Sequence, residues 1–315
     1  MQITLFLALL VVSRPAVAEE MSPRRRVLYG HRSLVRAVAF SPDNKVVASA
    51  SWDKTIRFWN VHTGRLIRSL KGHAGEVNSV TFSSNGKILA TADSHPSGEV
   101  RLWNAQTGHL LRRLGRGAQY FGVAFSPDSR VIAAGLGKSV RLWEVRSGKF
   151  IRTLPAQRYS EWIAFSPKGW TLASGGSESP IQLWDWRTGK LLRTWGDTRD
   201  FITSLAFSPD GKTLASANYR GYRNRVELWD TRTWRRRRAL IGRHENVESV
   251  ALSPNGRILA NDDGKTINLW DWQTGKLERI LKGHSSDIYS VAFSSNGAML
   301  ASGDERGMVI VWRIK

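Results

Sequence analysis

The sequence predicts an all-β chain folded as a seven-bladed β-propeller of four-stranded antiparallel blades. Three observations carry that expectation. The stretch that opens on Phe40-Ser41-Pro42-Asp43 has six counterparts, opening at Phe82, Phe125, Phe165, Phe207, Leu252 and Phe293. A Trp closes each unit, at Trp59, Trp103, Trp143, Trp184, Trp229, Trp270 and Trp312, with spacings of 44, 40, 41, 45, 41 and 42 positions. That period is the one expected of blades built from four strands. Finally, the two ends of the array are each incomplete in a complementary way.

Those ends come first along the chain. Residues 3–12 form an apolar run followed by Ala16-Val17-Ala18, a small-x-small ending of the kind a signal peptidase cuts, so residues 1–18 read as a leader and 19–23 as a short linker. Ten apolar residues fall short of the roughly 20 that cross a bilayer as a helix, and no transmembrane segment is expected. The propeller is expected over 24–315. Its first strand, around Arg26-Val27-Leu28, matches runs that end later units, yet no unit precedes it. The chain ends at Val309-Ile310-Val311-Trp312, one strand short. The N-terminal strand should therefore complete the last blade and remove the open sheet edges that invite aggregation.

Within a unit, Ser-Pro-Asp-Asn or Ser-Pro-Asp-Gly turns the first strand into the second, because Pro presets φ and Asn or Gly accepts positive φ. Pairs such as Thr63-Gly64, Thr107-Gly108 and Ser147-Gly148 mark the hairpin into the outer strand. Trp234 replaces that glycine in the fifth unit, whose hairpin is expected to differ in geometry. Units two and five carry extra residues in 94–99 and 219–225, between second and third strands. Variable loops on a fixed scaffold are where specificity tends to sit.

Composition narrows the chemistry. The chain of 315 residues has 14 Trp, 41% hydrophobic residues and no Cys, so disulfides, thiolate catalysis and Cys-ligated metals are excluded. The formal charge of +21 favours anionic partners without identifying one. Gly135-Leu136-Gly137-Lys138-Ser139 lacks the first glycine and the following helix of a phosphate loop. Asp262-Asp263 and Asp304-Glu305 fall in different units and read as solvated turn acids rather than paired catalytic carboxylates. No metal or cofactor is expected.

The Gly-His pairs (Gly30-His31, Gly72-His73, Gly283-His284), the Phe-Ser-Pro-Asp-Gly turns and the closing Trp-Asp or Trp-Asn pairs resemble the WD40 repeat family from Arg24 to Lys315. The resemblance implies a buried tetrad of His, Ser or Thr, Asp and Trp in a blade. His31, Ser49, Asp53 and Trp59 match it fully, with Ser51 as an alternative to Ser49. Matching elsewhere is partial: the seventh unit has His284, Ser302 and Trp312 but Arg306 where the acid is expected, the second has His73, Thr91 and Trp103 around its longer loop, and the sixth has His244 and Trp270 but Ala260. Units three to five lack Gly-His and are expected to rely on apolar packing.

The resemblance also implies that the narrow face receives peptides or protein segments. The corresponding positions are Arg36, Asn78, Phe121, Glu161, Thr203, Glu248 and Tyr289, with Tyr159 and Phe201 two residues further out and Trp52 and Tyr222 in loops. Arg57, Arg101 and Arg141 on third strands, with Arg235 to Arg238 near an outer strand, suggest a positive rim. The reading is a non-enzymatic, exported scaffold, periplasmic or secreted, monomeric, and binding a protein or peptide; without a working leader it would be cytoplasmic. The alternative is a polyanion or envelope-surface module acting through the Arg-rich rim. Sequence-specific nucleic-acid binding is not expected.

Overall fold

A computed structural model describes residues 25–94, 98–156, 159–219, 225–242 and 247–314. The leader and linker expected over 1–23, Tyr222 and His244 lie outside the described residues. Seven four-stranded antiparallel sheets form a seven-bladed propeller, with no helix among the described residues. In blade one the strands run Val35–Phe40, Val46–Ser51, Ile56–Asn60 and Leu66–Leu70, from innermost to outermost. Later blades repeat that order.

Blade seven closes the ring. Arg25–Leu28 pairs antiparallel with Val309–Arg313, placing Val27 opposite Ile310 and Arg26 opposite Val311. The first described strand is thus the outer strand of the last blade, and every blade has its fourth strand.

The core consists of seven apolar layers, one at each junction between blades. Blade one contributes Ala48, Ile56 and Leu70 to the layer that receives Val77, Leu89 and Trp103 of blade two. Each repeated Trp belongs to the layer shared with the preceding blade; Trp59, for example, joins Leu28, Val309 and Val311 of blade seven. The period of the sequence is therefore the period of the packing. Burying some 150 to 250 Å² of indole at about 25 cal/mol/Å² contributes roughly 4 to 6 kcal/mol gross per Trp, an upper bound before entropy.

A second recurring device acts at the periphery. Opposite the residue before each Trp, the outer strand carries an Arg: Arg26 faces Val311, Arg68 faces Phe58, Arg112 faces Leu102 and Arg152 faces Leu142. Its guanidinium reaches the hairpin of the next blade. A methyl added at Gly108 would sit 2.7 Å from Arg68 Nη1, and one at Gly189 would sit 2.7 Å from Arg152 Nη1. Arg112 Nε donates to the Arg146 carbonyl across 3.0 Å in the same way.

The fifth hairpin does not differ as expected. Trp234 adopts φ of +59°, and its N–H donates to the Asp230 carbonyl at 2.6 Å, as Gly64 does to Asn60 at 2.8 Å. A left-handed conformation strains any residue with a Cβ. Here the indole centroid lies 4.5 Å from that of Trp195 in blade four, with the rings tilted by 46°, and this contact holds it.

Candidate functional site

The hydrogen-bonded tetrads set the frame around the mouth. In blade one, Trp59 Nε1 donates to Ser49 Oγ at 2.8 Å, His31 Nε2 lies 2.7 Å from the same oxygen, and His31 Nδ1 lies 2.8 Å from Asp53 Oδ2. With the indole as first donor, the serine proton goes to Nε2 and the Nδ1 proton to the carboxylate, so each group is used once. Burial opposes the charge of Asp53, but hydrogen bonds from His31 and Thr55 hold its carboxyl well below the usual range.

Two further blades are complete, which corrects the expectation for them. In blade seven the acid is Asp304, not Arg306: Asp304 Oδ2 lies 2.8 Å from His284 Nδ1, and Ser302 Oγ lies 2.6 Å from Nε2. In blade two Asp93 lies 2.9 Å from His73 Nδ1, with Thr91 as the hydroxyl partner of both His73 and Trp103. The acid can stand two residues after the hydroxyl, on the strand, or four after it, in the turn, and still reach the ring.

The remaining blades are less apolar than expected. Trp184 donates to Ser174 and Trp229 to Ser216, each at 3.0 Å. In blade six the acceptor is Asn261 at 2.7 Å, one residue beyond Ala260. Blade three has Ala134 at that position and instead sets the Tyr120 ring 6.0 Å from Trp143. Nor are Asp262, Asp263 and Asp304 solvated turn acids; all three are buried. Asp262 accepts the N–H groups of Glu248 and Ser249 at 3.0 and 2.7 Å, yet burial pushes its carboxyl well up.

At the mouth itself, Arg36, Asn78, Thr203 and Tyr289 each occupy a β-bulge near the start of an innermost strand. A bulge leaves one residue outside the ladder and re-aims its side chain. Arg36 uses that freedom to cross the channel. Its guanidinium carbon lies 4.6 Å from the Trp162 ring of blade four and 5.5 Å from the Tyr289 ring of blade seven. Its Nη2 lies 3.5 Å from Glu248 of blade six, and its Nη1 donates to the Tyr289 carbonyl at 3.3 Å. Burial lowers the guanidinium pKa, against the fields of Glu248, Tyr289, Asp262 and Glu161.

Four blades thus meet at one side chain at the mouth. Trp162 was not among the sequence candidates. It stands one position beyond Glu161, and only the ring brings it to Arg36.

The other candidates are distributed around this arginine. Trp52 is 37% exposed and donates to Asn78 Oδ1 at 3.1 Å, while Asn78 itself is buried and donates to the Tyr120 carbonyl. Tyr159 is exposed. Glu161 accepts from Ser177 Oγ at 3.2 Å, and burial raises its carboxyl pKa. Phe201 is half-buried against Tyr219, with ring centroids 5.8 Å apart. Phe121 is half-buried, and Thr203 is tied by its hydroxyl to the Val247 carbonyl at 2.7 Å. On the opposite face, the far ends of the innermost strands of blades seven, one and two line a well of about 520 Å³.

The basic residues are not a uniform rim. Arg101 is buried and bonds Glu99 at 2.6 Å, and Arg141 donates to the Tyr120 hydroxyl at 3.1 Å. In the run 235–238, Arg236 pairs with buried Glu227 at 2.7 Å and Arg237 with Asp230. Blades two and five, which carry the extra loop residues, also hold buried acid–arginine pairs: Glu99 with Arg101, and Asp200 and Glu227 with Arg225.

Comparison with known proteins agrees with this geometry. The family model described as the IFT122 first beta-propeller matches residues 34–240, and WD domain, G-beta repeats match 235–271 and 275–313. Among curated proteins, the chain is 49% identical over 53 residues to a Notchless protein homolog of Arabidopsis thaliana, covering 17% of this chain and 11% of that protein. It is 43% identical over 42 residues to ribosome assembly protein 4 of Chaetomium thermophilum, covering 13% and 8%. With a ribosome biogenesis protein BOP1 homolog of Drosophila virilis it shares 44% over 45 residues, covering 14% and 6%. Seven closed blades, three complete tetrads among the described residues and a family match over more than half its length show that the chain belongs to the WD40-repeat family of β-propellers.

Proposed function

We propose that the propeller is a non-enzymatic scaffold that binds a segment of a partner protein across the mouth ringed by Trp52, Tyr159, Glu161, Phe201 and Glu248. The observation that carries this reading is Arg36, which reaches from blade one to Trp162 and Tyr289 and leaves exposed aromatic rings around it. A partner would lie across such a surface. Exposed Trp and Tyr have the character of interface anchors, offering large area at low entropic cost. The buried acids support a binding rather than a chemical role, since Asp262, Asp304 and Asp53 are already engaged by backbone N–H groups or histidine.

The same reading has the chain act outside the cytoplasm as a monomer, on the leader-like run of 3–18. Sequencing the N-terminus of the protein from its native source tests that part; a first residue near Glu19 supports it, and an intact Met1 sinks it. For the mouth, partner recovery by wild type is compared with Trp52→Ala/Tyr159→Ala/Phe201→Ala. Loss of a specific partner with an unchanged melting curve supports the proposal, and equal recovery removes this face.

A further inference from the structure

The outer strands of blades one to four share a pattern that the mouth does not use. Each opens with a basic residue, two apolar residues and an arginine, as in Arg65-Leu66-Ile67-Arg68 and Lys149-Phe150-Ile151-Arg152. The second and fourth blades repeat it at 109–112 and 190–193, and the four quartets hold seven Lys or Arg and no Asp or Glu. Each pair has at least one solvent-exposed member: Leu66 is 45% exposed, Leu111 48%, Phe150 50% and Leu192 46%, while Leu191 packs against the core. Each strand is the outermost of its sheet, so one edge of its backbone also faces outward.

The pattern stops at blade five. There the corresponding pair is Arg236 and Arg237, both paired with acids, and in blade six it is Leu277 and Glu278. The exposed apolar residues therefore recur as an arc over four neighbouring blades, with a docked arginine between one group and the next. Isolated exposed apolar residues are ordinary, but a set repeated in one basic frame on neighbouring blades has the character of an interaction surface.

We propose that this arc is a contact surface for an anionic lipid bilayer. The contact repeats four times with one chemistry, and the quartets themselves carry no acid, although Glu144 and Asp185 stand across the hairpin from Lys149 and Lys190. It needs a partner that is apolar and anionic at every point along it rather than one with a particular shape. Lipid headgroups above acyl chains meet that description: Leu, Ile and Phe enter the interface while Lys and Arg stay at phosphate level. The fourth residue of each quartet fixes the geometry. Arg68, Arg112 and Arg152 are docked on the next blade's hairpin, so adjacent apolar pairs are held at a set separation while Arg65, Lys149 and Lys190 remain exposed to meet headgroups. This surface is distinct from the mouth, and either could fail without the other.

The test is co-sedimentation of the full chain with vesicles of phosphatidylcholine alone and of phosphatidylcholine mixed with phosphatidylglycerol. Wild type is compared with Leu66→Ser/Leu111→Ser/Phe150→Ser/Leu192→Ser. Both chains carry the same residues 1–24, so the arc is read from the difference between the two chains on each kind of vesicle. The expected result is binding to the anionic vesicles that weakens as salt rises and falls on the order of tenfold in the fourfold variant. Should that variant melt early, Ile67→Ser/Leu111→Ser gives the same reading with fewer changes. Equal binding by variant and wild type, equal binding to neutral vesicles, or a concentration-dependent dimer abolished by the substitutions without vesicle binding would each overturn the proposal.

Discussion

Arg36 of blade one lies 4.6 Å above the Trp162 ring of blade four, on the far side of the channel. This contact, with Glu248 and Tyr289 of two further blades, ties the inner ends of the propeller together where no β-ladder does. Stacked guanidinium–aromatic contacts contribute roughly 0.5 to 2 kcal/mol each, more when water is excluded. Arg36→Ala should therefore destabilise the chain by about 1 to 3 kcal/mol, a shift of several degrees in the thermal midpoint. Arg36→Lys should recover only part of that, because an ammonium does not stack as a planar guanidinium does. Melting curves of the three proteins check the order.

The repeated Trp residues and the loop Trp residues should separate sharply. Trp59 and Trp143 are almost wholly buried between blades, whereas Trp52 stands at the mouth. Truncating a buried Trp typically costs about 3 to 5 kcal/mol. Trp59→Ala or Trp143→Ala should lower the midpoint far more than Trp52→Ala, and equal shifts would count against the blade register.

Trp234 should behave as a strained residue held by its neighbour. Glycine at this position relieves a left-handed φ worth about 1 to 2 kcal/mol but loses the contact with Trp195, and the lost aromatic burial outweighs the relief. Stability should fall in the order wild type, Trp234→Gly, Trp234→Ala. A glycine variant more stable than wild type would show that the contact contributes little.

Asp53 gives the pH dependence a definite sign. Its carboxyl titrates below the ordinary range in the folded chain, so its charge stabilises the fold above the unfolded value of about 3.9 and that contribution fades as pH falls. The stability gap between wild type and Asp53→Asn should be full near neutrality and shrink below about pH 4. Urea titrations at several pH values measure it.

The fold was readable because one period governed everything: a Phe and a Trp at fixed places mean one strand order and one apolar layer, seven times over. Closure was readable too, since the strand at Val27 lacked a blade and the blade ending at Trp312 lacked a strand. The mouth was readable only as a set of positions. That Arg36 spans the channel depends on a bulge at that residue and on Trp162 arriving from the other side of the ring, neither of which leaves a local mark. The acids misled for a related reason. Asp304 and Asp262 look like turn residues in a short window, but the strands extend through them and bury them beneath the mouth. Trp234 looked like a broken hairpin because its compensation, Trp195, belongs to another blade.

Amide hydrogen exchange across the blade-seven junction tests the central claim most directly, that a closed ring is completed by the N-terminal strand. The account predicts that the amides of Arg25–Leu28 turned toward Val309–Arg313 are protected well above free-chain rates, and that they open together with the strand they pair with. Exchange of 25–28 at free-chain rates, while 309–313 and the other six blades stay protected, would contradict it.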